Sequence, residues 1–178
     1  KIKDQDDETE LFESVELVTE LIKQDDLNKK PVCAYTLSVF KALNYLYSNN
    51  DYEYLLYWLD KLNPDLLDTE QKEFNGRKYP SNREKYYNYY SKALIECGDI
   101  EECIEVSKKA LDSLTEFTND SDVWYNWRIA KCLKDLDKNE EALSYLKEVS
   151  KVKRDWFVSK EIAENYFMLN DVDNACEY

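Results

Sequence analysis

Residues 137–142 read Asp-Lys-Asn-Glu-Glu-Ala, and two related tracts repeat this pattern: Gly-Asp-Ile-Glu-Glu-Cys at 98–103 and Asn-Asp-Val-Asp-Asn-Ala at 170–175. Each tract follows an apolar-periodic stretch of about 14 residues and opens another one. Gly or Asn at the first position can adopt the left-handed conformation that ends a helix. The acidic residues that follow suit the positive N-terminal end of the next helix. The tracts therefore predict helix–turn–helix units, and a weaker copy at 50–55, Asn-Asp-Tyr-Glu-Tyr-Leu, indicates one more.

Residues of similar size recur at fixed distances before the end of each tract. The matching sets are Cys103, Ala142 and Ala175 at the end of the tract, Ser91, Ala130 and Ala163 twelve residues earlier, and Leu94, Leu133 and Tyr166 nine residues earlier. A large residue, Tyr90, Ile129 or Ile162, lies thirteen residues earlier. Small side chains at these positions would let two paired helices approach closely. This order of large, small and again large residues on a first helix, with a small residue on a second helix, resembles the tetratricopeptide repeat.

The resemblance implies an all-α fold: a right-handed superhelical solenoid of antiparallel helix pairs, with about three to four repeats and an N-terminal helix. The spacing of 33 residues between Ala142 and Ala175 is close to the 34 of that family. The array is irregular, because the spacing is 39 from Cys103 to Ala142 and 48 from Leu55 to Cys103. We therefore expect the second helix of the repeat at 84–117 to be long and to run toward Phe117.

The predicted organisation is a single domain over residues 1–178. Because the sequence stops just inside the second helix of the last repeat, we expect it to be a fragment of a longer protein. Its predicted parts are an N-terminal helix at 8–27, a weak repeat at 36–62, a loop insertion at 63–83, repeats at 84–117 and 122–153, and a truncated last repeat at 156–178. Pro64, Gly76, Pro80 and Ser81 mark the insertion. Asp120-Ser121-Asp122 is interpreted as the N-cap of the helix that contains Val123.

Composition excludes several classes of function. The chain has 178 residues, 2 Gly and 3 Pro, so phosphate-binding loops of the GxGxxG and GxxxxGK[ST] kinds are absent. Histidine is absent, which removes His-based nucleophile pairs and His-containing zinc sites. The acid pairs Glu101/Glu102 and Glu140/Glu141 are explained by helix starts. We therefore predict a protein that is not an enzyme and needs no metal or cofactor.

Charge and cysteine usage bear on the environment and the partners. The net charge is −14, and residues 1–26 contribute half of it, either as a solvated helix face or as an acidic interaction tail. The five cysteines are odd in number and form no CxxC pair, which is typical of reduced thiols in a cytosolic protein. With no apolar run long enough to span a bilayer, we expect a cytoplasmic protein with no membrane partner.

The family geometry places the first helices of successive repeats on the concave face, and so predicts a peptide-binding groove there. The residues expected in the groove are Phe40, Asn44, Tyr47, Lys85, Asn88, Lys92, Trp124, Trp127, Arg128, Lys131, Lys134, Phe157 and Lys160. The four first helices together carry a net charge of +1 in this acidic chain. Their basic residues indicate an acidic or carboxylate-bearing peptide, unless they are ordinary solvated lysines.

Three functional hypotheses remain open at this point. The first is a protein-interaction scaffold that binds a peptide through basic groups and through the aromatic anchors Trp124 and Trp127. The second is a nucleic-acid-binding or regulatory module that stacks single-stranded bases on the same strip, which the negative net charge makes less favourable. The third is a structural spacer or self-association element. The carboxylate clamp of one family subgroup is incomplete, because Phe40 and Trp124 stand where that subgroup has lysines.

Overall fold

The computed structural model describes the backbone of residues 2–178 and the side chains of residues 8–178. Its helices are α1 (Ile2–Leu21), α2 (Ala34–Asn49), α3 (Tyr52–Leu59), α4 (Asn82–Cys97), α5 (Ile100–Ser113), α6 (Asp122–Asp135), α7 (Asn139–Val152), α8 (Trp156–Met168) and α9 (Val172–Ala175). Short 3₁₀ turns lie at Pro64–Leu66 and Thr118–Asp120. Two strands, β1 (Lys72–Phe74) and β2 (Arg77–Tyr79), form one hairpin.

The helices stack in sequence order. Each packs chiefly against its neighbours along the chain, and α4 and α6 also contact each other directly. The helices α2, α4, α6 and α8 are the first members of four pairs, and α3, α5, α7 and α9 are the second members. The fold is therefore the predicted all-α solenoid of helix pairs, preceded by one N-terminal helix.

The four turn tracts end their helices as predicted. The first residue of each tract has a positive φ: 58° at Asn50, 87° at Gly98, 57° at Asp137 and 59° at Asn170. In the tract at 50–55, the Asp51 carboxylate then accepts a hydrogen bond from a backbone N–H of α3. The tract chemistry therefore sets the length of every first helix in the array.

Small residues lie where the paired helices approach most closely. Ser91, Cys103, Ala130 and Ala142 are completely buried, and the Cys103 thiol lies 3.3 Å from the carbonyl oxygen of Ser91. In the weak first copy, Leu55 is completely buried in the corresponding slot. A larger side chain is thus accommodated in that pair, which explains why its sequence matches the pattern less well.

Two helix ends differ from the prediction. Helix α1 ends at Leu21 rather than near residue 27, and the following segment is tied to the next pair by Gln24, whose side-chain amide exchanges hydrogen bonds with the backbone of Asn63. Helix α5 ends at Ser113 instead of running toward Phe117, and its length of 14 residues equals that of α7. The extra residues of this repeat form the loop between α5 and α6.

A buried carboxylate holds that loop. Glu84, in the first turn of α4, is 2% exposed and accepts hydrogen bonds from the Thr118 N–H (2.8 Å), the Thr118 hydroxyl (3.0 Å) and the Ser121 hydroxyl (2.6 Å). Ser121 occupies the N-cap position of α6, as interpreted from the sequence, but its hydroxyl makes no capping hydrogen bond. Its bond to Glu84 explains this difference.

The insertion at 63–83, predicted as a loop, contains a β-hairpin. Asn75 and Gly76 have φ of 51° and 72°, the left-handed pair required by a tight two-residue hairpin turn. All six strand residues are exposed. The base of the hairpin is closed, because the Asn82 amide donates to the Asp68 carboxylate and the Arg83 guanidinium donates to the carbonyl oxygens of Asp65 and Leu67. The hairpin therefore projects from the array, and hydrogen bonds hold its two ends in place.

Candidate peptide-binding groove

Side chains predicted to line the groove connect all four first helices. Tyr47 of α2 stacks on Tyr89 of α4 with ring centroids 4.4 Å apart, and the Tyr89 hydroxyl donates to the side chain of Asn44 (2.7 Å). Arg128 of α6 reaches back to α4, and Trp127 meets Phe157 of α8 edge to face at 5.3 Å. We name this continuous row the first-helix face; its residues are Asn44, Tyr47, Lys85, Asn88, Tyr89, Trp124, Trp127, Arg128, Lys131, Lys134 and Phe157.

Arg128 lies near the centre of this face. Its guanidinium donates to the Asn88 side-chain oxygen (3.0 Å) and to the Ser91 hydroxyl (3.2 Å), and it lies 5.8 Å from the ring centre of Tyr125. Burial lowers the pKa of Arg128 below its usual range, although an arginine remains charged in a protein. Among the residues that the structure describes, its polar partners are all neutral. Arg128 is therefore a positioned, partly desolvated cation without a carboxylate partner.

The lysines toward the C-terminal end of the face are already neutralised. Glu161 of α8 accepts hydrogen bonds from Lys131 (2.9 Å) and Lys134 (2.5 Å) of α6. Burial alone would raise the pKa of Glu161, but the two lysines lower it below the usual carboxylate range. Lys92 pairs in the same way with Glu96 on its own helix. The predicted positive strip is therefore reduced to fewer open charges.

Lys85 is the other cation on the face without a carboxylate among the described residues. Its ammonium lies 5.7 Å from the ring centre of Phe40, and burial, followed by the charge of Lys72, lowers its pKa. Phe40 itself is only 5% exposed, so it lies beneath the face. This corrects the expectation that Phe40 lines the groove: the ring supports Lys85 from below, because the side chain of Phe40 points into the core.

The remaining predicted residues differ in accessibility. Trp124 is 38% exposed, whereas Trp127 is half-buried against Phe157 and against a hydrophobic cluster of the C-terminal helices that includes Leu146 and Ile162. Lys160 is exposed and pairs with Glu164 at 3.3 Å. Tyr89 and Glu161 complete the contacts between helices, and neither was among the residues predicted to line the groove. Only the register between successive first helices shows their roles, and sequence spacing does not give that register.

Within residues 8–178, no group of three or more His, Cys, Asp or Glu side chains is placed to hold a metal ion. No described helix combines the length and the apolar character that a membrane span requires.

Similarity to known proteins is visible in the structure and not in the sequence. No family profile matches the sequence, and no curated protein matches it. The structure of YrrB, a TPR protein with an unusual peptide-binding site, superposes with a TM-score of 0.59 over 95% of this chain and 74% of YrrB, at 14% identity. A putative kinesin light chain from Podospora anserina with nearly identical TPR-like repeats gives 0.62 over 97% of this chain and 82% of that chain, also at 14% identity.

A second crystal structure of that kinesin light chain, of a variant form, gives a TM-score of 0.63 at 13% identity, over the same shares of both chains. At such low identity these similarities establish the architecture alone. The turn tracts, the buried small residues and the helix pairs agree with these comparisons. The chain therefore has a tetratricopeptide-repeat-like fold.

Proposed function

We propose that this chain is a non-catalytic scaffold that binds a peptide segment of another protein along its first-helix face. The observation that carries the proposal is Arg128, whose guanidinium is held by Asn88 and Ser91 and faces no carboxylate among the described residues. Removing a charge from water without a counter-charge costs free energy. A fold keeps such a cation most readily where a ligand supplies the missing anion.

The chemistry of Arg128 favours a carboxylate as that anion. A guanidinium presents its donors as a planar fork that matches a carboxylate with two parallel hydrogen bonds. Asn88 and Ser91 already fix the orientation of this fork, so less conformational entropy is lost when a ligand binds. The partner of Arg128 is then a Glu or Asp side chain, or the C-terminal carboxylate, of the bound peptide.

Aromatic side chains on the same face would hold the apolar part of the peptide. Trp124 is four residues from Arg128 on α6 and is partly exposed, which is the position of an anchor rather than of a core residue. Trp127 contributes its edge, but its contact with Phe157 also joins α6 to α8. YrrB, which shares the fold, is described as a TPR protein with a peptide-binding site, and this supports the same class of ligand here.

Screening a phage-displayed peptide library against the full chain would test this proposal. Synthetic versions of selected peptides are then titrated with the unchanged chain, with Arg128→Gln and with Lys151→Gln. Lys151 pairs with Glu148 on α7, away from the face, and is the matched control for loss of one positive charge. We expect Arg128→Gln to weaken binding at least about tenfold, the loss of a charge-assisted hydrogen bond, and Lys151→Gln to leave it unchanged. Equal affinities for all three proteins, with unchanged helicity, would contradict the proposal.

Trp124→Ala separates the aromatic contribution from stability. We expect weaker binding of the selected peptides and a melting temperature close to that of the unchanged chain, because Trp124 lies at the surface. Trp127→Ala should lower both, since it also removes the contact with Phe157. If Trp124→Ala binds as tightly as the unchanged chain, the anchor belongs elsewhere on the face.

The nucleic-acid alternative receives no specific support from these contacts. Lys131, Lys134 and Lys92 are engaged by Glu161 and Glu96, so they do not form an open basic track for phosphates. Binding of a single-stranded oligonucleotide that weakens steeply with salt would favour that alternative instead. A mass that rises with concentration, without any ligand, would favour the self-association hypothesis.

A further inference from the structure

An apolar groove lies beside the C-terminal ends of α6 and α8 and the short helix α9. Its volume is about 540 Å³, within the roughly 300–1,000 Å³ that is typical of ligand pockets. We name it the α8–α9 groove, and its apolar lining is Ala163, Phe167, Met168 and Ala175. Phe167 and Met168 are 65% and 59% exposed, so they present apolar surface to water. The groove adjoins the first-helix face at Lys134 and shares no other residue with it.

The preceding repeat shows what covers the corresponding surface there. Ala130, which corresponds to Ala163, is completely buried, in one hydrophobic cluster with residues of α8. These residues are Val158, Ile162 and Tyr166, which are spaced four apart on one face of that helix. In the last pair, Ala163 is only partly buried and lines the open groove. An amphipathic helix with apolar residues four apart would therefore cover Ala163 as α8 covers Ala130.

Charge around the groove favours a basic occupant. A polar depression continues the groove and shares Asn139 with it. Four carboxylates that form no ion pair among the described residues line the two together: Asp135, Asp137, Glu140 and Glu141. The cations beside them are Lys138 and Lys134, and the Lys134 ammonium already contacts Glu161 and Glu164. An apolar segment that carries Lys or Arg residues complements this edge.

A second copy of this chain does not fit the same charge pattern. Helix α1 has exposed apolar side chains at Leu17 and Leu21 that would suit the groove by size. Glu13 and Glu20, however, lie four and three residues from Leu17 on the same helix face, and they would meet the carboxylates at the groove edge. Two grooves facing each other would also bring their carboxylates together. Like charges at an interface oppose association, so the occupant favoured by charge is a segment of a different protein.

We propose that the α8–α9 groove binds a basic amphipathic helix of another protein. The apolar side chains of that helix, at four-residue spacing, pack against Phe167 and Met168 and cover Ala163. Its Lys or Arg residues lie beside Asp135 and the carboxylates of the adjoining depression. This surface is a second binding site, separate from the one proposed at Arg128, and it takes a ligand of the opposite charge.

Two synthetic amphipathic helices with the same leucine positions test the proposal. One carries lysine and the other glutamate at the remaining positions, and each is titrated into the full chain by calorimetry. We expect the leucine–lysine peptide to bind, with an affinity that falls as salt rises, and the leucine–glutamate peptide not to bind. Arg128→Gln should leave this affinity unchanged, which separates the result from that of the function proposed above. Absence of binding by the leucine–lysine peptide, or equal binding of both peptides, would overturn the proposal.

Two variants with matched controls locate the binding. Phe167→Ala should weaken the leucine–lysine peptide about tenfold, whereas Phe74→Ala, which removes a ring of similar exposure (67%) from the hairpin, should not change it. Asp135→Lys should weaken it about fivefold. Asp112→Lys, in the last turn of α5, makes the same change in net charge away from the groove and should have a smaller effect.

Equal affinities for each variant and its control would overturn the proposal, because the peptide would then be held by the overall negative charge of the chain. Sedimentation of the chain without peptide checks the other occupant. We expect the mass of one chain. A doubled mass that Phe167→Ala returns to that of one chain would show that a second copy fills the groove, contrary to the proposal.

Discussion

Single residues with positive φ end the first helices of this chain. Asn50, Gly98, Asp137 and Asn170 all adopt the left-handed conformation at equivalent points of the array. An ordinary L-residue pays roughly 1–2 kcal/mol for that conformation, whereas Gly does not and Asn tolerates it. These positions could be predicted because the residue types themselves carry the information.

Replacing Gly98 by Ala tests this at the site with the largest φ. Nothing lies within 4 Å of the added methyl group, so the effect isolates backbone strain from steric overlap. We expect a loss of about 1 kcal/mol in the free energy of unfolding, measured by urea denaturation. Gly98→Asn is the control and should lose clearly less, as Asn serves at 50 and 170. Equal losses for both variants would show that the tolerance of Asn for positive φ does not limit the loss at this position.

Glu84 shows what residue type alone does not reveal. In the sequence it is one more acid near the start of a helix, but in the structure it is buried and accepts three hydrogen bonds from the loop between α5 and α6. The sequence shows a carboxylate at this position. It does not show the hydrogen-bond partners, which lie 34 to 37 residues away. The mistaken extension of α5 toward Phe117 has the same origin.

Glu84→Gln should destabilise the chain by about 1–3 kcal/mol. The amide NH₂ of Gln would face one of these donors, and an NH₂ group cannot accept a hydrogen bond. Thermal or urea unfolding at neutral pH measures the loss. Ser121→Ala removes one of the three donors and leaves the carboxylate otherwise satisfied, so its loss should be smaller. A Gln variant as stable as the unchanged chain would mean that the carboxylate is not required.

At the scale of the helices, the sequence predicted which elements exist better than where they stop. The apolar periodicity and the turn tracts locate the paired helices close to their observed positions. Helix α1 was extended too far because its amphipathic pattern continues through Ile22, while Gln24 is held by Asn63 on a distant segment. Helix ends that depend on tertiary hydrogen bonds cannot be read from local spacing.

Glu161 joins two first helices, and its contribution should depend on pH. Its pKa is lowered in the folded chain, so the stabilisation is present above the carboxylate pKa of the unfolded chain and is lost as pH falls through the folded value. We expect Glu161→Gln to be about 1–2 kcal/mol less stable at pH 7, with the difference shrinking in acid. Urea denaturation at several pH values measures it.

Glu164→Gln is the matched control for that measurement. Its carboxylate also contacts Lys134, at 3.4 Å, but it is about half exposed and is therefore well screened by water. Its effect on stability should be smaller at every pH. A Glu161→Gln penalty that stays constant into acid would show that the side-chain shape, rather than the charge, joins α6 to α8.

For the whole molecule, stability should vary along the stack. The larger hydrophobic cluster reaches from Phe12 to Ala142, and a smaller one, between Val123 and Tyr166, holds the C-terminal helices. Helix α9 contributes no buried residue. Since each unit of a solenoid is stabilised only by its neighbours, we expect amide hydrogen exchange to be slowest in α4–α6 and fastest in α8–α9.

Hydrogen exchange followed by mass spectrometry tests this gradient. Ile162→Ala, which removes a completely buried side chain of α8, should speed exchange in α8 and α9 and leave α2 and α3 unchanged. Val39→Ala, in the larger cluster, should speed exchange in α2 and α3 and leave α8 and α9 unchanged. Uniform acceleration along the chain in either variant would mean that the stack unfolds as one cooperative unit.

The first-helix face could be predicted only in part from the sequence. The resemblance placed Asn44, Asn88 and Arg128 on one side of the array; in the structure Arg128 contacts Asn88, and Asn44 contacts Tyr89 of α4. It did not show that Phe40 is buried beneath Lys85, or that Glu161 neutralises two of the lysines. Both facts depend on contacts between helices that are distant from each other in sequence.

The closed base of the hairpin has a practical consequence. Both ends of the hairpin are held by hydrogen bonds of Asp68, Asn82 and Arg83, and all residues of the two strands between them are exposed. A peptide bond cut at Asn75–Gly76 would therefore leave two fragments whose helices α3 and α4 still pack against each other. The same turn would accept a fluorescent protein or an affinity tag in mid-chain, and the chain could serve as a reporter that is split in two and reassembles.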